Sequence, residues 1–496
     1  MKFKIILVII ILSVIFTACG RSDNGKSNDL AKSTDYTRTL NILVNQDWHK
    51  GIIEQATIAM NNDWQARGYP YTFKVKVEDN DYRSPIWPNC RMARLSTELM
   101  SGQGPDMFLT WFSSDFRSAI GSGLIADIYM LMDNCPRVSR EDFFENVFSA
   151  FEVNGGLYTF PISFGFYHVG INTRLPKEYI HRFTSEPTVT IGQMLDIYLN
   201  IKTQQEFDNF ALGIAGSSIN SRYRMIEVIM GGFIDFDARI SSLMDEAFVS
   251  YIGKLPQVFG RNVNLAGRIL GVTPFHSGQS FFELASDNTF TMDSFGLTPV
   301  HAFLGDELYF AHYRPLADEK GRLLIDNCVS SNNVWAAFSI NASGQQELAW
   351  EFMQHLIFAY SQPIGNAKVD PENGFSLSIG ANSFSTPIKR SLVDNHLQDV
   401  FNNVIELNDM IMEQWNDDSG FVNFITPQGQ KVQTQNAINR IIEYNEMPMT
   451  SLFPMLPWTL FVGSQGANVS NLMSGAITAE TFAQLTHNAV SLWLIE

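Results

Sequence analysis

Residues 101–111 read Ser-Gly-Gln-Gly-Pro-Asp-Met-Phe-Leu-Thr-Trp. Gly102 and Gly104 can end a helix, because glycine accepts positive φ without a Cβ penalty. Pro105 cannot continue one. Asp106 suits the turn that follows, since its carboxylate can accept backbone N–H bonds, and it reads as structural rather than as a ligand contact. Met107 to Thr110 then reads as a short buried strand, with Trp111 at its far end. Before the turn, Met92, Leu95 and Leu99 recur at helical spacing along Arg91–Met100, so the motif joins a helix to a strand.

Upstream, Leu40–Val44 is a short apolar run suited to a buried strand. Ile53, Ala56 and Met60 share one face of a helix over Gly51–Gly68, and Tyr71–Val77 alternates as a strand does. The first 110 residues therefore run β-α-β-α-β, which predicts a parallel or mixed sheet with helices on its faces. Further strands are expected at Leu157–Phe160, His168–Ile171, Ile269–Thr273 and Ala336–Ile340. Helices are expected at Arg140–Ala150, Ile191–Lys202, Glu347–Phe358, Val404–Trp415 and Ala479–Leu494. Thr190 stands where a cap is needed before Ile191, and Ser343 precedes the helix that opens at Gln346 and Glu347.

The chain has 496 residues, more than one ordinary core holds. Lys2 and Lys4 precede an almost unbroken apolar run, Ile5–Phe16, of signal-peptide rather than membrane-span length. Small residues then lead to Cys19, and Phe16-Thr17-Ala18-Cys19 resembles a lipobox with Phe16 where leucine is usual. Residues 1–18 read as a lipoprotein signal and Cys19 as the lipidated first residue. Residues 19–37 hold almost no large apolar side chains and read as a flexible tether. The net charge of −17 becomes −19 when Lys2 and Lys4 leave with the signal. So acidic a chain argues against nucleic acid as a partner. Cys90, Cys135 and Cys328 cannot all pair, and no CxxC is present, so they are buried thiols or one bridge with one left over.

No GxSxG, HExxH, GxxxxGK[ST] or GxGxxG occurs. Glu351 and His355 stand at i, i+4, a spacing that suits a metal pair but belongs more often to a solvated helix face. What remains is aromatic and polar. Asp47-Trp48 follows the first strand, Trp111 and Asp115 follow the third, and Asn332, Asn333 and Trp335 stand in the loop before Ala336–Ile340. Open α/β sheets place ligands at strand ends. Tryptophan faces stack on the apolar C–H faces of sugar rings, while Asp and Asn satisfy the hydroxyls, so this combination suits a carbohydrate. Trp64, Trp350 and Trp493, on helices, read as core.

Several motifs in order carry a resemblance. They are Ser101–Asp106, Gly123-Leu124-Ile125-Ala126-Asp127, and Gly156–Pro161 followed by Gly170-Ile171-Asn172. Ala266–Leu270, Glu347-Leu348-Ala349-Trp350-Glu351-Phe352 and Ser474–Glu480 complete the series. With the lipobox, they make the chain from Leu40 to Glu496 resemble the family 1 extracellular solute-binding proteins of ABC importers, the maltose-binding-protein-like group.

The resemblance implies a two-lobed α/β fold of the periplasmic-binding-protein type, each lobe a mixed sheet flanked by helices, joined by crossover strands. Lobe one would comprise 38–163 with 316–358, and lobe two 167–312 with 362–496. The first crossover would fall near Phe164–His168, and the second in Phe295–Pro299 or Tyr309–Pro315. It implies reversible capture of a sugar or oligosaccharide and delivery to membrane permease subunits by a monomeric, lipid-anchored protein on the outer face of the cell membrane. No cofactor, metal or covalent chemistry is called for. By position, Asp47, Trp48, Trp111, Asp115, Tyr167, Phe275 and Trp335 would contact ligand, and Trp415 and Trp458 are candidates by chemistry alone. A polyamine, peptide or other polar solute, a non-transport sensor or adhesion role, and a surface glycoside hydrolase are the alternatives.

Overall fold

The computed structural model describes residues 36–44, 49–79, 95, 97–110, 116–172, 175–202, 211–214, 220–235, 238–259, 280–285, 311–325, 335–361, 386–399, 439, 441–450 and 466–495. Two main sheets draw on β1 (Thr37–Val44), β2 (Thr72–Asp79), β3 (Met107–Thr110), β4 (Phe160–Pro161), β5 (His168–Asn172), β6 (Val189–Thr190), β7 (Ala211–Ile214), β8 (Ser280–Ala285), β9 (Ala311–Ala317), β10 (Leu323–Leu324), β11 (Trp335–Phe338) and β12 (Met449–Thr450). The first sheet has the order β2-β1-β3-β11-β4. The second has the order β7-β8-β5-β9-β10-β12, with β6 beside β9.

In the first sheet β1 is parallel to both β2 and β3, as the β-α-β-α-β reading requires. Leu40, Ile42, Val44, Met107 and Leu109 are fully buried. The helices α1 (His49–Ala66) and α4 (Gln346–Ser361) pack against each other beside this sheet. Trp64, 1% exposed, lies edge-on to Phe73 at 5.7 Å, and Phe73 meets Phe352 at 5.1 Å. Trp350 packs on Phe160 and Phe338, and Trp493 is buried too, so all three helical tryptophans are core.

The turn at 101–106 is built as its sequence suggests. Gly102 has φ +71° and Gly104 φ +100°. Asp106 is 2% exposed and serves four donors. Its Oδ2 accepts the Asn41 N–H at 2.8 Å and Asn41 Nδ2 at 3.3 Å, and its Oδ1 accepts Asn341 Nδ2 at 2.9 Å and the Ser343 hydroxyl. The start of β3 is thereby tied to β1 and to the loop after β11. Ser343 spends its hydroxyl there rather than on the helix behind it. Thr190 does cap α2 (Ile191–Lys202), with reciprocal bonds to Gln193 of 3.2 and 2.9 Å.

Arg140–Ala150 is not one helix. A single 3-10 turn covers Arg140–Asp142, Phe143 and Phe144 are extended, and an α-turn covers Glu145–Ser149. The extended residues have outside partners. Phe143 bridges Lys389, and its carbonyl accepts Arg390 Nε at 2.8 Å.

The chain passes from the first sheet to the second between Pro161 and His168. The later boundaries differ from those expected. Ala311–Pro315 pair with Asn172–His168, Leu316–Ala317 with Val189–Thr190, and Leu323–Leu324 with Met449–Thr450. Residues 316–325 therefore belong with the second sheet, and the return follows Ile325. Pro315, the end of one segment expected to carry the second crossover, sits within the ladder opposite His168, and Leu316 N–H donates to Tyr167 O at 2.7 Å.

The described residues of 362–496 make contacts on both sides of the first passage. Thr386–Pro387 pair with Phe164–Ser163, and Asn146 Nδ2 donates to the carbonyls of Asn445 and Met447. These contacts fasten 386–399 to the first passage itself and 441–447 to Asn146 before it. By contrast α5 (Gly466–Met473) and α6 (Ala479–Ile495) pack on α3 (Glu246–Phe259), beyond it. A third passage, from Met447 to β12 in the second sheet, thus lies between these two sets of contacts. Among the described residues no helix is long and apolar enough to cross a membrane.

Candidate functional site

Register fixes which strand ends meet. Val44 lies opposite Asp79 on one side and Leu109 on the other. Thr110 pairs with Trp335, and Trp335 pairs with Pro161. Because β11 runs antiparallel to β3, its first residue lies at the end where β1 and β3 finish. Thr110, Trp335 and Pro161 therefore form one row across the sheet, with Val44 one position short of it, opposite Leu109. In the chain, Asn45-Gln46-Asp47-Trp48 continues from Val44, Trp111 continues from Thr110, and Asn332 and Asn333 precede Trp335. Three segments rich in Trp, Asp and Asn thus issue from one edge of one sheet. Open α/β sheets collect ligands at such an edge.

Asp47, Trp48, Trp111, Asp115, Phe275, Trp415, Trp458 and Cys19 themselves lie outside the described residues, as do the expected elements Ile269–Thr273 and Val404–Trp415. Trp335 is the first residue of β11 and not part of the loop before it. Tyr167 lies in the first passage and is 7% exposed. Its N–H donates to Leu324 O at 2.9 Å and its carbonyl accepts from Leu316, so it joins the first passage to β10 and β9. Sequence reasoning had no signal for this role, because both partners lie about 150 residues away.

The Glu351–His355 pair is not a metal site. Glu351 Oε1 accepts Arg67 at 2.5 Å, Trp64 Nε1 at 3.1 Å and Arg137 at 3.1 Å. Burial pushes this carboxyl up, but the hydrogen bonds from Arg67 and Trp64 and the two guanidinium charges outweigh it and hold it below its ordinary range. His355 Nε2 lies 3.6 Å from Asp63 Oδ2, and burial lowers its affinity for a proton. The group is a half-buried ion network between α1 and α4, where a solvated helix face was the simple expectation. Among the described residues no three His, Cys, Asp or Glu side chains are grouped to hold a metal. Cys135 is a free, half-buried thiol, so it forms no bridge.

No protein-family model matches the sequence, and no curated protein sequence matches it; the similarity lies in structure. The sugar-binding protein MalE from Xanthomonas citri superimposes with a TM-score of 0.56 at 13% identity, covering 92% of this chain and 98% of that one. Mycobacterium tuberculosis UspC gives 0.53 at 12% identity, over 92% and 100%. An extracellular solute-binding protein of family 1 from Alicyclobacillus acidocaldarius gives 0.50 at 13% identity, over 94% and 100%. The fold is that of the two-lobed solute-binding proteins. The overlap covers nearly all of both chains in each case.

Proposed function

We propose that this protein captures a sugar or oligosaccharide between its two lobes and delivers it to the permease of an ABC importer. The observation that carries the reading is the sheet edge at Thr110, Trp335 and Pro161, with Val44 one position behind, from which the Asp47-Trp48, Trp111-to-Asp115 and Asn332-to-Trp335 segments all issue. The likeness in fold to a sugar-binding MalE supports the ligand class. Trp48, Trp111 and Trp335 stack on the ring faces, Asp47 and Asp115 bind hydroxyls, and Tyr167, Phe275, Trp415 and Trp458 complete the contacts. Ligand touching both lobes favours the closed arrangement and so shifts a pre-existing equilibrium. Cys19 carries the lipid that holds the monomer at the outer face of the membrane, with residues 19–37 as tether.

The test is a thermal-shift screen of the domain from about Asp35 onward against neutral glycans and polyamines. A bound ligand raises Tm as RT ln(1 + [L]/Kd). Glycans are expected to shift Tm, and Trp48→Ala or Trp111→Ala to abolish the shift without unfolding the protein. A net charge of −19 for the mature chain favours a cationic solute as the second reading. Shifts by polyamines alone would replace the first reading with it.

A further inference from the structure

We propose that Asn146 and Asn445 form a buried water-binding site at the base of the third passage. Asn445 is 0% exposed, and neither its Oδ1 nor its Nδ2 has a protein partner. Asn146 stands beside it, with Nδ2 at 2.7 Å from Asn445 O and 2.7 Å from Met447 O. Those bonds use both amide hydrogens and fix its orientation, since a reversed amide would set its oxygen against two carbonyls. The remaining Asn146 Oδ1 is also buried without a partner.

Two acceptor oxygens and one NH2 donor, on side chains of residues in direct contact, are therefore buried without partners. Buried amides are nearly always satisfied by protein or by ordered water. The backbone around both side chains is pinned from both sides. Asn146 grips the carbonyls of Asn445 and Met447, while Arg390 ties the Phe143 carbonyl to the Glu446 carboxylate. An ion fits poorly, since a cation would face an NH2 and an anion two oxygens. Water, with two hydrogens and two lone pairs, complements both kinds of group, and a buried water commonly makes about three such bonds. The site lies where the chain leaves residues 441–445 for β12, so it hydrates the point from which the third passage departs.

The test joins a high-resolution crystal structure of the wild-type domain with the melting of Asn445→Leu. Ordered water is expected within about 3.2 Å of the Asn445 amide and Asn146 Oδ1. The leucine, close in size, displaces that water and strands Asn146 Oδ1, so Tm is expected to fall by about 2 °C or more. If the pocket is dry, the same change removes two unsatisfied polar atoms and Tm rises. Absence of the density, or a rise in Tm, overturns the proposal.

Discussion

Asp106→Asn separates scaffold from ligand site. The carboxylate is 2% exposed and accepts from the Asn41 N–H, Asn41 Nδ2, Asn341 Nδ2 and Ser343 Oγ. Hydrogen bonds to a charged acceptor contribute about 1.5–3 kcal/mol each, and a stranded buried donor costs about 1–3 kcal/mol. Asparagine keeps the shape but turns one acceptor into a donor, so one side of the network must face N–H against N–H. The expected loss is about 2–3 kcal/mol, rising to about 3–5 kcal/mol for Asp106→Ala, where the backbone N–H of Asn41 is stranded as well. Urea unfolding followed by tryptophan fluorescence measures the loss. The rise in the variant's own Tm on adding saturating glycan measures binding. The acid stands at the opposite end of β3 from Thr110, about 13 Å away at about 3.3 Å per residue. Stability should therefore fall while the glycan shift survives. A variant within about 0.5 kcal/mol of wild type would refute the network argument, and one that keeps stability but loses the glycan shift would make Asp106 a ligand residue.

Two glycines should respond with opposite sign. Gly104→Ala places a side chain at φ +100° and should cost about 1–3 kcal/mol, whereas Gly51, in α1 with nothing within 4 Å of an added Cβ, should gain about 0.5 kcal/mol as alanine. Equal effects in urea titrations would show that backbone conformation is not the cause. Gly192→Ala would set a Cβ 2.5 Å from the Tyr251 hydroxyl, which donates to Glu319 at 2.6 Å, and a loss of about 1–3 kcal/mol is expected; an unchanged Tm would mean the ring moves aside freely. The lowered Glu351 carboxyl contributes stability that is complete above its ordinary value of about 4.5 and lost as pH falls through its folded value. Glu351→Gln should be less stable at neutral pH and flatter between about pH 5 and 3; parallel pH–stability curves would remove the Arg67–Glu351–Arg137 network as a source of acid sensitivity.

What the sequence discloses about this fold is set by the range of the interactions involved. The strands Thr37–Val44 and Thr72–Asp79, the helices after them and the capping box at Thr190 rest on periodicity or on neighbours three residues apart. Local pattern suffices for these. The division of 362–496 rests on Thr386 meeting Phe164 and Asn146 meeting Asn445, partners 222 and 299 residues apart. No local pattern records such pairs, so a late segment packed with early ones reads as a continuation of what precedes it. The break at Phe143–Phe144 is invisible for the same reason: its cause is Arg390.

The candidate site lies between these cases. Parallel order alone sends the segments after Val44 and Thr110 to one edge, but bringing Trp335 to that edge requires the antiparallel pairing of β11, which only the register reveals. That register also explains the glycine-proline turn. Asp106 ties the start of β3 to Asn41 in β1 and to Asn341 and Ser343 behind β11, so three strands are locked together at the end remote from the site. Strands are stiff over four residues, and a register fixed at one end is fixed at the other. The buried acid thus acts on the ends of β1, β3 and β11 at Val44, Thr110 and Trp335 without touching them. A binding surface carried on segments that issue from locked strands is positioned more closely than one on free loops.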